Sequence, residues 1–123
     1  MAEIEDIFDR IVACSADAEA AAAAKDSGLA RRLLQIRVAY NDESAKLLHA
    51  VKADPRLKTN AEIASQLDAH ISQMRVQMGR MQAKWRMHEI EADPASYLLE
   101  IKRINRAIEE TRDWVRATLG AIR

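Results

Sequence analysis

Apolar residues return along this chain at intervals of three and four, in four stretches separated by three short breaks. In the first stretch, about 3–25, Ile4, Ile7, Phe8, Ile11, Val12, Ser15 and Ala18 share one helical face. Glu3, Glu5 and Asp6 occupy its first turn, where the helix dipole favours acids. Its second half runs into Ala20-Ala21-Ala22-Ala23-Ala24, strong in helix propensity and poor in area to bury. Lys25-Asp26-Ser27-Gly28 forms the first break, with Asp26 or Ser27 available to cap the next helix, about 28–53. There Leu29, Leu33, Ile36, Tyr40, Leu47 and Val51 make one face, while Leu34, Val38 and Ala45 lie on another side. Asp54-Pro55 ends the helix, because proline pushes the residue before it out of helical angles.

Thr59-Asn60-Ala61-Glu62 reads as a capping box that opens a long third helix, about 60–92. Its main seam is Ile63, Leu67, Ile71, Met74, Met78, Met81, Trp85 and His88, with His70 alongside. A second seam repeats at sevens through Ala69, Val76, Ala83 and Ile90, joined by Met87. A helix that is apolar on two faces needs two neighbours. Asp93 caps the fourth helix and Pro94 takes its first position, where no amide hydrogen is required. This helix, about 94–121, carries Tyr97, Ile101, Ile104, Ile108, Val115, Leu119 and Ile122, with Trp114 at the edge of the stripe.

No run of residues carries a strand pattern. The expectation is therefore an all-α protein, one domain over 1–123, built as an antiparallel bundle or long hairpins of four helices. Composition sharpens this. Alanine supplies 23 residues and aromatic side chains only 4%, which suits narrow seams and not a cofactor box. A single cysteine, Cys14, leaves no internal disulfide. With an acidic N-terminus and no apolar run of membrane-spanning length, the expected location is cytoplasmic, with no membrane partner.

Net charge is zero but unevenly spread. Glu3, Glu5, Asp6, Asp9, Asp17, Glu19 and Asp26 crowd the first 26 residues against Arg10 and Lys25, and the rest of the chain is positive in compensation. Between Asp68 and Glu89 the only charged side chains besides histidine are Arg75, Arg80, Lys84 and Arg86. The acidic first helix can lie beside these cations, or an acidic partner can compete for them. A pI near 6.8 argues against nucleic acid.

The chemistry of helical bundles is missing. Di-iron sites use Glu-x-x-His, yet the residues three before His49, His70 and His88 are Lys46, Leu67 and Trp85. His88-Glu89 opens like a zincin motif, but Ala92 stands where the second histidine belongs. Gly28, Gly79 and Gly120 are isolated, so no phosphate loop exists. No catalytic, cofactor-binding or metal-binding residue is expected, and no enzyme.

The acidic first helix, the Ala-rich end leading into Lys25-Asp26-Ser27-Gly28-Leu29, the Leu33-Leu34-Gln35-Ile36-Arg37 helix and two further long helices resemble the small flagellar type III export chaperones, particularly the filament-cap type. Members of that family often carry tryptophan in the first turn of the second helix, where this chain has Leu29. The resemblance implies a chaperone that holds the helical terminus of an export substrate. It assigns no site residue.

Read from its residues, the chain is a protein-binding module that receives an amphipathic, acidic partner helix. The expected surface is Met74, Met78, Met81 and Trp85 with Trp114 and the cations Arg75, Arg80, Lys84 and Arg86. Ordinary core filling is the competing role of the methionines. Leu34, Val38, Val76, Met87 and Ile90 exceed what one core can cover, which predicts a homodimer. The alternative is a structural coiled-coil protein whose seams are satisfied by its own copies.

Overall fold

The computed structural model describes residues 3–24 and 27–122, and these form six helices with no strand among them. They are α1 (Glu3–Ala24), α2 (Leu29–Ala53), α3 (Pro55–Lys58), α4 (Ala61–Lys84), α5 (Met87–Ala92) and α6 (Pro94–Gly120). The all-helical class agrees with the sequence reading, but the count rises from four to six. Residue 25, expected to end the first helix, and Asp26, expected as a cap, lie outside the described residues.

Local chemistry explains most boundaries. Asp54 accepts from the Arg56 amide at 2.9 Å, which starts the single turn of α3 with Pro55 in its first position. Asp93 likewise accepts from the Ser96 amide at the head of α6. The expected Thr59–Glu62 capping box does not form. Thr59 and Asn60 instead close α3, the Asn60 side chain donating from Nδ2 to the Arg56 carbonyl at 2.8 Å, and α4 starts without a side-chain cap. Ser27 does not cap α2 either; its N-cap is Gly28, with no side-chain bond.

The expected helix over 60–92 is broken at Trp85-Arg86, where the backbone leaves helical angles. No proline or glycine marks the place, and the cause is tertiary. The Trp85 indole turns into the core and donates from Nε1 to Glu100 at 3.0 Å, while Arg37 donates to the Trp85 carbonyl. Beyond the break, the Arg86 amide donates to the Glu89 carboxylate and α5 sets off in a new direction. That swing places Ile90 fully inside the core, against α2.

Pairs across the bundle fix how the long helices sit. Arg10 meets Glu43 at 2.8 Å, and Ala18 shares a small cavity with Leu33, so positions on α1 and α2 meet in opposite order. Asp9 pairs with Arg116, and the Ser15 carbonyl accepts from Asn105 at 2.8 Å, the same reversed order between α1 and α6. His70 stacks on Trp114 with centroids 4.5 Å apart, and Lys84 pairs with Glu100, which registers α4 against α6. One cluster of buried side chains joins these helices, with Phe8, Ile4, Ile11, Leu33, Leu47, Leu67 and Leu119 completely enclosed.

Spacing within the bundle is uneven. The α1 backbone runs close to both α2 and α6, made possible by the buried small residues Ser15, Ala18, Ala21 and Ala22. The α4 backbone stands further from α6, and further still from α2. Long side chains fill that gap: Leu67, Ile71, Met74, Met78, Met81 and Trp85 are all buried.

At the end where α1 begins, Arg56 draws three segments together. Its guanidinium bonds both oxygens of Glu5 at 2.8 Å, Asp54 at 2.7 Å and the Leu119 carbonyl at 3.4 Å. Hydrogen bonding to Arg56 holds the carboxyls of Glu5 and Asp54 below their ordinary range.

Candidate functional site

The wide spacing of α4 leaves a cleft on each of its flanks. On the α6 side two adjoining depressions of about 270 and 250 Å³ run along the helix pair. Met74, Met81, Ile104 and Ile108 supply their apolar walls, and Ala107, whose small side chain leaves room, borders both. Arg80, Lys84 and Arg103 stand over the first with Glu100; Gln73, Gln77 and Glu110 stand over the second. On the α2 side a depression of about 300 Å³ lies between Asn41, Ala45 and Leu48 of one helix and Arg75, Met78, Gly79 and Gln82 of the other.

The residues expected to bind a partner are therefore divided. Met74, Met78, Met81 and Trp85 do not form an open stripe: each is at most 8% exposed and packs into the chain's own core. Met74 and Met81 nonetheless edge the α4–α6 groove, whereas Met78 borders the α2–α4 cleft. Trp85 belongs to neither. It packs edge-on against Tyr97, with centroids 5.7 Å apart. Trp114 is half-buried on His70, at the far end of the α4–α6 groove. Arg80 and Lys84 flank that groove, Arg75 leans toward α2, and Arg86 is exposed beyond the helix break. Lys84 is engaged by Glu100, and this bond together with the Trp85 indole lowers the pKa of the Glu100 carboxyl.

The residues expected to drive self-association divide as well. Leu34, Val38 and Val76 are exposed to 54%, 55% and 49%. Ile90 is not available, since the break after α4 buries it completely, and Met87 is half-covered against the core. Leu99, exposed to 70% on α6, is an apolar surface residue that the sequence reading did not single out.

A smaller cavity of about 20 Å³ lies inside the bundle between Cys14, Leu33, Ile36, Tyr40, Met81, Tyr97 and Ile101. It is the size of one water. Burial pushes the Tyr40 phenol up to about 12 and raises the Cys14 thiol. Among the described residues, the hydroxyls of Ser15 and Tyr40 find no hydrogen-bond partner. Among the described residues, no three His, Cys, Asp or Glu side chains gather as metal ligands, and no helix is long and apolar enough to cross a membrane.

Polar residues inside the apolar seams are the features that the sequence reading passed over. Glu43 is buried and held by Arg10, and Asn105 is buried against the Ser15 carbonyl. Both stand at seam positions, Glu43 between Tyr40 and Leu47 and Asn105 between Ile101 and Ile108. A polar residue at such a position was the available signal. No family model, curated protein or solved structure matches the chain.

Proposed function

We propose that this chain is a non-catalytic helical adaptor that seats an amphipathic helix of another protein in the groove between α4 and α6. The four long helices α1, α2, α4 and α6 serve as an up-down antiparallel scaffold for that groove. One observation carries the reading: α4 stands off from α6, leaving an elongated apolar cleft with Met74 and Met81 in its walls and cations at its rim. Unbranched methionines adapt to side chains of different shape, which suits a site that takes an apolar helix face. Arg80 and Arg103 favour an acidic rim on the incoming segment, and such charges set encounter rate and register more than affinity. A chaperone that holds the helical end of an export cargo is one biological form of this activity, and a cytoplasmic setting fits it.

The test is site-specific photo-crosslinking in the native cell. A benzoyl-phenylalanine at Ala107, in the groove, is compared with one at Ala117, exposed elsewhere on α6. The reading expects one stoichiometric partner crosslinked from Ala107 through an acidic amphipathic segment, and none from Ala117. Equal adducts from both positions, or none from Ala107, would reject it.

A further inference from the structure

On the flank of α4 that faces α2, the depression of about 300 Å³ has a feature that its counterparts beside α6 lack. Tyr40 and Ser44 line it from α2, only 5% and 9% exposed, and neither hydroxyl finds a hydrogen-bond partner among the described residues. The buried Nε2 of Gln82 borders it from α4 in the same condition. Three unbonded polar atoms in one wall are costly, because each has given up its hydrogen bonds to water. Among the described residues, no buried unbonded side-chain atom belongs to the lining of the α4–α6 groove. An outside group that completes these bonds accounts for their gathering on the α2 side.

All three groups can donate. Burial holds the Tyr40 phenol protonated, at about 12, against smaller opposite pulls from Ser44 and Arg75. Both therefore lie near the phenol, although the two hydroxyls are not bonded to each other. Arg75 is the one charged residue of the lining, is exposed, and has no acid paired with it among the described residues. A guanidinium with neutral donors beside it recognises a carboxylate, whose two oxygens match the planar fork. Ala45, Leu48 and Met78 make the rest of the wall apolar. Gly79 borders it without a side chain, and nothing lies within 4 Å of where a Cβ would stand, so that part of the cleft stays open. Its volume is at the lower end of the range for small-molecule sites. Arg75, Met78 and Gln82 are unbranched and give way by rotating, which lets an incoming oxygen reach hydroxyls now closed to water.

We infer that the α2–α4 cleft is a binding site for a small organic monocarboxylate. Arg75 and the Tyr40 and Ser44 hydroxyls hold the carboxylate, and the apolar body lies along Leu48, Met78 and Gly79. The site is on the opposite flank of α4 from the partner groove and does not depend on it.

Titration of the isotope-labelled full chain with sodium hexanoate at constant ionic strength, followed by amide NMR, reads binding residue by residue. Amides from Tyr40 to Leu48 and from Arg75 to Gln82 are expected to shift together and to saturate in the millimolar range, the affinity open to so small a ligand. Hexanol and inorganic phosphate each lack half of the recognised chemistry and are expected to bind at least roughly tenfold more weakly. Tyr40→Phe and Ser44→Ala each remove one donor and are expected to weaken hexanoate roughly tenfold, with melting close to that of the wild type. Gly79→Leu fills the cleft and is expected to abolish binding without loss of helicity. Absence of saturable shifts with hexanoate is what ordered water on the hydroxyls predicts, and it would overturn the proposal. So would an affinity indifferent to Tyr40→Phe and Ser44→Ala, equal binding of phosphate, or shifts centred on Ala107. The partner groove is read separately, by crosslinking from Ala107, so the two sites stand or fall apart.

Discussion

α1 and α4 are amphipathic helices of nearly equal length, 22 and 24 residues, yet they are held in the bundle by different means. α1 combines Ile4, Ile7, Phe8 and Ile11 with buried serine and alanine, and its backbone runs close to two neighbours. α4 inserts leucine, isoleucine and three methionines, with Trp85 just past its end, and its backbone stands off. Both cover an apolar core. Small residues draw helices together and seal the joint, while long side chains fill the same joint and leave clefts along its margins. The clefts follow α4 on both sides, while beside α1 a polar depression of about 390 Å³ opens only where Asp17 faces Gly28, Arg31, Arg32 and Gln35 at the start of α2. The site therefore lies where packing is carried by the reach of side chains and not by the approach of backbones.

The largest expected effect comes from the tightly packed side. Phe8→Ala removes a fully buried ring among close neighbours and should cost about 3–5 kcal/mol, measured by denaturant unfolding. Met74→Leu, on the α4 side, conserves volume beside a cleft and should cost less than about 1.5 kcal/mol. Equal losses for the two would erase the comparison. Asn105→Ala removes the bridge from α6 to the Ser15 carbonyl of α1 and should cost about 1–3 kcal/mol, in the same assay.

Acid should loosen the end of the bundle where Arg56 gathers its carboxylates. Glu5 and Asp54 have pKa values lowered from 4.5 and 3.8, so each binds its proton less readily folded than unfolded. Their contribution is complete above those ordinary values and is lost as pH falls through the lower, folded-state values. Melting of the wild type should drop steeply below pH 3.8, and Arg56→Leu should melt lower at neutral pH with a flatter acid limb. Parallel acid limbs would contradict that assignment. Smallest of all is Tyr40→Phe. The phenol is buried with no hydrogen-bond partner among the described residues, so its removal should change stability by no more than about 0.5 kcal/mol.

The seams were legible because three-and-four spacing reports directly which side of a helix is covered. It placed Ile4 through Ala18, Leu29 through Leu47 and Tyr97 through Leu119 on the inner side, where they are found. The break at Trp85 was not legible, since it follows from Arg37 and Glu100 seizing the Trp85 backbone and indole across the bundle. Neither residue is near in sequence. For the same reason Ile90 was assigned to the outer seam that holds Val76: the repeat of sevens assumes a helix that does not continue. The candidate site was half legible. Methionines and cations mark the helix that borders the clefts, but whether a seam is sealed or flanked by a cleft depends on the distance to its neighbour, which periodicity does not encode.

Amide hydrogen exchange followed residue by residue tests the contrast between α1 and α4 most directly. A helix held off by long side chains beside open clefts should open separately from one clasped by its neighbours. The central amides of α4, around Met74 to Met81, are expected to exchange through a partial opening of lower free energy than the global unfolding that releases those of α1 around Phe8 to Ser15. If both sets exchange only with global unfolding and share one free energy, α4 is as firmly built in as α1, and the account of the groove is wrong.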